Sequence, residues 1–344
     1  METLWFCLIA FSLTMYVVLD GFDLGTGMLH LFVARNDAER ATVLRTIGPV
    51  WDGNEVWLVA TAGTLFAVFP TLYAVAFSGF YLQLMMVLWL LVGRAIAIEY
   101  RNQIDSPLWK PVWDAIFTLS SGALALFFGV ALGNVARGVP SGSDGTFFAP
   151  LWTDFSPHRA TGILDPYTIL AGITATVALA HHGALWTAMK TDGPVRKRAL
   201  DAARVSGWAT LLATIVVTIW TRSVQPHMAA RFSNQAWGYL FPLLAAGGLI
   251  AAMSLRKKGL APFVGSTLYL AGMLASVAFS VFPYVLPSSV DPARGLTAHA
   301  AAADGNALRT ALAWWLPGMA LASGYSAFVY WKFRGKVAET GEDY

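Results

Sequence analysis

Gly48-Pro49-Val50-Trp51-Asp52-Gly53-Asn54-Glu55-Val56-Trp57-Leu58 places two carboxylates, an amide and two indoles at the mouth of an otherwise apolar helix. Pro49 and Gly53 mark a turn running into that helix, because proline suits a helix entry and not a helix interior. Asp52 and Glu55 are three apart, so they share a face near the positive N-terminal end of the helix. Acids and capping groups are common at any helix start. The meaning of this stretch therefore depends on its surroundings.

Those surroundings are membrane sequence. Hydrophobic residues make up 56% of the chain and charged residues 12%, with a mean hydropathy of +0.56. A soluble domain carries about a quarter charged residues, so this chain has too little polar material for a water-facing surface. The composition predicts an all-α polytopic membrane protein, a single transmembrane domain over 1–344. The net charge of +3 concerns topology rather than nucleic acid, since no basic patch is interleaved with stacking aromatics. Cys7 is the only cysteine and lies in an apolar run, which excludes an internal disulfide, a Cys-rich metal site and an iron–sulfur cluster. Met1-Glu2-Thr3 lacks the positive region of a signal peptide, so the first apolar run is expected to remain as a membrane helix.

Apolar stretches able to cross a hydrocarbon core of roughly 30 Å recur near 4–33, 55–73, 75–98, 112–135, 164–187, 204–222, 237–255, 262–284 and 310–331, nine in all. The second and third are joined only by the Phe69-Pro70-Thr71-Leu72-Tyr73 corner, which predicts a tight helical hairpin. Alternate connections collect Arg35, Arg40, Arg45, Arg94, Arg101, Lys110, Lys190, Arg196, Lys197, Arg198, Arg204, Arg256, Lys257, Lys258, Lys332, Arg334 and Lys336 on one side, 17 of the 23 Lys and Arg. The positive-inside rule then places the N-terminus outside and the C-terminus in the cytoplasm. The outer loops near 138–163 and 285–307 are rich in Gly, Pro and Ser and show no hydrophobic pattern of their own.

Polar groups inside the spans carry the information, because a charge near the bilayer centre costs several kcal/mol. In Leu19-Asp20-Gly21-Phe22-Asp23-Leu24-Gly25-Thr26-Gly27 the two aspartates lie one turn apart on one face. Asp23 is on the order of 15 Å from the cytoplasmic end of its helix. Gly21 and Gly25 form a small-xxx-small pair that admits a neighbouring helix closely. Two readings stand: the aspartates pin helix packing, with Arg94 as a partner, or they belong to a proton or ion pathway. Asp20, Asp23, Asp52 and Glu55 would then form an acidic file rising from the cytoplasm, since neighbouring buried acids permit proton exchange. Arg94 and Arg101 share a face of the third span with Glu99 nearby, placed to offset these acids or dock a partner; Arg101 is read as snorkelling to the headgroups.

His181 and His182 are adjacent and point about 100° apart, so they do not clasp one iron together. His30 lies near a helix end and His158, His227 and His299 in outer loops, which favours hydrogen-bonded core histidines over haem ligands at 181 and 182. Most tryptophans sit near span ends as interfacial anchors. Trp57 lies deeper, beside the acids.

Asp20-Gly21-Phe22-Asp23-Leu24-Gly25, the Gly48–Trp57 stretch, Phe77-Ser78-Gly79-Phe80-Tyr81, Arg94 with Glu99-Tyr100-Arg101, and Phe282-Pro283-Tyr284-Val285-Leu286-Pro287-Ser288-Ser289 resemble subunit II of the cytochrome bd quinol oxidases. The short outer loops look like the cyanide-insensitive type. The resemblance implies a nine-helix, multi-pass subunit of the bacterial cytoplasmic membrane, paired with a homologous subunit I that holds haem b and haem d, or a b-type variant, and the quinol-oxidising loop. Such a complex reduces dioxygen to water and draws protons from the cytoplasm. Subunit II of this family ligates no haem and no other metal, and room remains for a quinone or lipid in one of its grooves and for a small accessory subunit. By the resemblance Asp52 matches an aspartate at a cytoplasmic proton entry, and Asp20 and Asp23 match motif acids to which it assigns no individual role; their place in a proton pathway, with Glu55, rests on the acidic file. Glu55 falls where some members carry glutamine. Trp57 matches a tryptophan near an oxygen channel, while Trp51, Asn54, Arg94, Glu99 and Arg101 are expected to serve structure or partner contact. The competing readings are a stand-alone proton-coupled transporter and a purely structural assembly subunit.

Overall fold

The computed structural model describes residues 1–153, 162–255 and 259–337. His158 and Arg159 of the first outer loop, the Arg256, Lys257 and Lys258 cluster, and the charged tail after residue 337 lie outside the described residues.

Helix α1 (Glu2–Val33) is followed by the short α2 (Asp37–Arg45), which Asn36 caps by accepting from the Glu39 amide at 2.9 Å. Next come α3 (Trp51–Val68), α4 (Pro70–Gly79), α5 (Tyr81–Tyr100) and α6 (Trp109–Arg137). Asp165 opens α7 (Pro166–Lys190) with a capping box closed by Thr168, and Pro166 takes the first helical turn, where its missing N–H costs nothing. The chain continues through α8 (Gly193–Val224), α9 (Pro226–Asn234), α10 (Leu240–Ser254) and α11 (Ala261–Val281). A small antiparallel pair, β1 (Tyr284–Leu286) with β2 (Leu296–Thr297), leads into α12 (Ala298–Ala301) and the last helix α13 (Gly305–Lys332).

Seven helices among the described residues are long and apolar enough to cross a membrane, and the bent pair α3 with α4 raises this to eight. The hairpin expected from spans 55–73 and 75–98 takes a different form. The turn falls at Phe69-Pro70, where α4 leaves α3 at 118°, and α4 stops at Gly79 before α5 starts at Tyr81. Proline without an N–H begins the new helix at Pro70. At Gly79 the Phe147 ring comes so close that a Cβ would sit 2.2 Å from its Cζ, so the loop after α6 wedges against the second break. Helix α13 is long enough, about 42 Å, but tryptophans, glycines and Pro317 dilute its apolar content, and it is not among the seven.

Helix α1 is the hub, packed against α3, α6, α7 and α11. Apolar lipid tails drive no hydrophobic collapse, so close backbone approach at small residues does the work. A Cβ on Gly25 would lie 2.0 Å from the Leu179 carbonyl oxygen of α7, and one on Gly183 2.3 Å from Gly25 itself. Thr26 and Thr187 hydrogen-bond across this seam at 3.2 Å. The outer loops depart from the expectation of patternless connectors. Phe147, Ala149, Ile163, Leu286, Ala298 and Ala301 are buried in one apolar cluster with Trp5 and Phe69. Single apolar residues between glycines and prolines carry no period, which is why this cover does not appear as a pattern. His227 and His299 sit on the short helices α9 and α12 rather than in open loop.

Candidate functional site

The acids of α1 meet the opening stretch of α3 and the arginine of α5. Asp20, Asp23 and Arg94 are each fully buried. Arg94 Nη1 donates to Asp20 Oδ1 at 2.7 Å, and Nη2 donates to Glu55 Oε1, so one planar guanidinium ties three helices together. Asp23 has a neutral partner instead. Asn54 Nδ2 donates to Asp23 Oδ2 at 2.7 Å and to the Leu19 carbonyl at 3.2 Å, and the Tyr330 hydroxyl of α13 donates to Asn54 Oδ1 at 2.8 Å. Asp20 Oδ2, Asp23 Oδ1 and the Tyr16 hydroxyl are buried without a partner among the described residues. Three carboxyl groups thus gather around one guanidinium, with uncommitted oxygens between them.

The remaining residues of the opening stretch divide by face. Asp52 is exposed in the first turn of α3. Trp51 is buried. Trp57 is buried too, edge-on to Phe11 with ring centroids 6.3 Å apart. Glu99 is exposed, and its backbone carbonyl accepts from Gln103 Nε2 at 3.4 Å.

Arg101 corrects an expectation. It does not snorkel; it is 1% exposed, with Nε donating to Asp114 Oδ1 and Nη2 to Asp37 Oδ1, both at 2.6 Å. Asp114 also meets His30 Nε2 at 2.6 Å and Arg40 Nη1 at 3.2 Å. A buried carboxylate among three donors holds the arginine more firmly than hydrated headgroups do. Sequence reading passes over Asp114 and gives His30 only a place near a helix end. The available signal is an aspartate just inside the fourth apolar run, which only a buried cation would tolerate.

His182 has both ring nitrogens engaged, Nδ1 with Ser266 Oγ at 2.7 Å and Nε2 with the Val18 carbonyl at 3.0 Å, and offers neither to an iron. His181 Nδ1 lies 2.8 Å from the Ala203 carbonyl. Among the described residues no group of three or more His, Cys, Asp or Glu could hold a metal ion. These side chains do not fit an axial haem pair.

Comparison with known proteins extends over nearly the whole chain. The family model described as cytochrome bd terminal oxidase subunit II matches residues 1–333. The cytochrome bd-I ubiquinol oxidase subunit 2 of Escherichia coli K12 is 32% identical, covering 98% of this chain and 95% of that protein. The cytochrome bd ubiquinol oxidase subunit 2 of Bacillus subtilis is 31% identical over 98% of this chain and 97% of its own length. The probable cytochrome oxidase subunit 2 of Haemophilus influenzae is also 31% identical, over 97% and 94%. Among solved structures, a chain of the bd oxidase from Geobacillus thermodenitrificans shares the fold, with a TM-score of 0.77 at 16% identity over 96% of this chain and 98% of that one.

Proposed function

The chain belongs to the cytochrome bd terminal oxidase subunit II family, and from that premise we propose that it is the non-haem-ligating subunit of a quinol:oxygen oxidoreductase, inactive alone. Its relatives from E. coli and B. subtilis are named as ubiquinol oxidase subunits, and a quinol donor is carried over to this complex. The partner is a homologous subunit I, which holds the haems, in the bacterial cytoplasmic membrane. The chain forms one transmembrane unit of nine spans, α3 to α5 supplying the second and third and α13 the ninth, with the N-terminus outside.

Within the complex this subunit delivers protons from the cytoplasm. One observation carries that reading: exposure falls along the acids. Asp52 is exposed, the Glu55 side chain is 24% exposed, and Asp20 and Asp23 are fully buried. Carboxyl groups in such a file take up a proton at the surface and pass it inward, and Asp23 Oδ1, without a partner among the described residues, is the atom free to hold it. Arg94 supplies the compensating charge that lets acids remain buried. Trp57 is the residue proposed to line oxygen access. A separate observation favours a purely structural reading for Asp20, which is fully buried and engaged by Arg94 at 2.7 Å, whereas Glu55, also held by Arg94, keeps a side chain 24% exposed.

Oxygen uptake by the assembled complex separates the two. Asp52→Asn and Asp23→Asn are expected to slow quinol-driven oxygen reduction with haem content unchanged, while Asp20→Asn lowers the yield of complex. Full turnover in both Asp52→Asn and Asp23→Asn, at normal haem content, would overturn the proton-delivery role.

A further inference from the structure

Helix α8 has 32 residues and is about 48 Å long, well beyond a hydrocarbon core of roughly 30 Å. Its first part, Gly193–Arg204, carries Arg196, Lys197, Arg198 and Arg204, and the apolar run begins only at Val205. Arg204 and Trp208 therefore stand at headgroup level, where a cation and an indole are favoured. Helix α10 ends at the same level, at Ser254. Between α7, α8 and α10 lies a half-open groove of about 470 Å³, bordered by His181, Arg204, Trp208, Leu211, Ile250 and Met253.

Two polar groups of this groove lack partners among the described residues. His181 is 1% exposed, and its Nδ1 faces the Ala203 carbonyl at 2.8 Å. A carbonyl only accepts, so Nδ1 carries the hydrogen and Nε2 of the neutral ring is a bare acceptor. That Nε2 is buried with no hydrogen-bond partner among the described residues. The Arg204 side chain is exposed and makes no ion pair among the described residues. An occupant must bring an anion to Arg204, an O–H or N–H to His181, and an apolar chain to Leu211, Ile250 and Met253. A choline headgroup has no such hydrogen, and an oxidised quinone offers acceptors only. An ethanolamine headgroup brings N–H donors but sets a second cation beside Arg204, whereas a phospholipid whose phosphate is followed by free hydroxyls meets all three demands without that repulsion.

We propose that this groove binds one hydroxyl-bearing anionic phospholipid, of the phosphatidylglycerol type, at the level where the apolar run of α8 begins. Its phosphate pairs with Arg204, a headgroup hydroxyl donates to His181 Nε2, and an acyl chain runs along Leu211 and Ile250. The site is independent of the proton-delivery reading.

The test is native mass spectrometry of the delipidated, purified complex after adding phosphatidylglycerol, phosphatidic acid or phosphatidylcholine. Phosphatidylglycerol is expected to be retained over both others. Arg204→Gln, an exposed change, should lower its retention about tenfold, the loss of one charge-assisted hydrogen bond. Arg222→Gln, an exposed cation at the far end of α8, should leave it unchanged. His181→Asn keeps a donor for Ala203 and removes the Nε2 acceptor, so phosphatidylglycerol should fall to the level of phosphatidic acid. Excess free glycerol phosphate should not displace the lipid. Equal retention of the three lipids, an unaffected Arg204→Gln, or displacement by free glycerol phosphate would each overturn the proposal.

Discussion

The Tyr330 hydroxyl donates to Asn54 Oδ1 at 2.8 Å, joining residues 276 positions apart in the chain. Asn54 in turn presents its amide hydrogens to Asp23 and to the Leu19 carbonyl. The amide is thereby fixed by three partners, and its orientation is settled. Only Leu308 of α13 is fully buried among the described residues, so this polar tie carries much of the helix's attachment to the acidic cluster. Beyond the helix end, Lys190 Nζ donates to the Phe333 carbonyl at 2.6 Å, and the Val337 amide to the Lys190 carbonyl at 2.9 Å. Helix α13 is also held near its start, where Trp5 Nε1 donates to the Leu308 carbonyl at 3.2 Å, and the tie through Tyr330 is the one that reaches Asp23.

Tyr330→Phe removes one hydrogen bond yet leaves Asn54 bound to Asp23. Its expected cost is about 1 kcal/mol, whereas Asn54→Leu strips Asp23 of its donor and costs about 1–3 kcal/mol. Thermal unfolding of the purified complex reads both. Asn54→Leu should lower the midpoint more than Tyr330→Phe; the reverse order would mean that Tyr330 acts through packing rather than through the amide.

Arg94 is the harder case, because it faces two carboxylates on different helices. Arg94→Leu leaves them buried without compensation, an expected loss of about 3–5 kcal/mol. Arg94→Lys keeps the charge but lacks the planar fork that spans Asp20 and Glu55, so it should recover only part of that loss. Assembled yield and melting temperature measure it. Adding Asp20→Asn to Arg94→Leu should restore stability relative to the single variant, since the unpaired charge goes with its partner. An additive double variant would argue against direct coupling.

The membrane class, the first helix and the gathering of acids were legible from local rules, namely composition, apolar run length and one-turn spacing. The expected start of span one at residue 4 and the observed start at Glu2 differ only by fraying. What local rules do not reach is partnership. Arg101 looks like an interfacial cation until Asp114 arrives from the next helix. Tyr330 looks like one more interfacial aromatic until α13 returns to α3. The break at Phe80 hides inside a mostly apolar run, where the Phe147 ring presses on Gly79 from a distant loop.

Gly25 gives a sharper packing test than any polar residue. A methyl group there would overlap the Leu179 carbonyl, a backbone atom that cannot rotate away. Gly25→Ala is therefore expected to force α1 and α7 apart and cost about 1–3 kcal/mol, as overpacking does. Gly63→Ala, on α3 with no atom near the added methyl, should be neutral or slightly stabilising. Thermal inactivation of the two variants side by side checks the contrast. Equal melting temperatures would mean that the α1–α7 seam yields.

The last expectation concerns pH and lies outside the spans. Glu39 of α2 accepts from Arg198 Nη2 at 2.6 Å and from the Arg35 amide at 2.6 Å, strapping α2 to α8. The Arg198 hydrogen bond, partly opposed by burial, holds the Glu39 carboxyl below its ordinary value of 4.5. A lowered carboxyl contributes stability above its unfolded value and loses it as pH falls through the folded one. The strap should be intact at neutral pH and weaken progressively below 4.5. Because other acids also titrate there, the readout is the gap in melting temperature between the parent complex and Glu39→Gln. That gap should be open near neutrality and close as pH drops below 4.5, and added salt should narrow it at neutral pH, since the Arg198 and Glu39 side chains are 20% and 18% exposed and so partly screened. A gap that persists unchanged into acid would assign Glu39 a packing role in place of the ionic one.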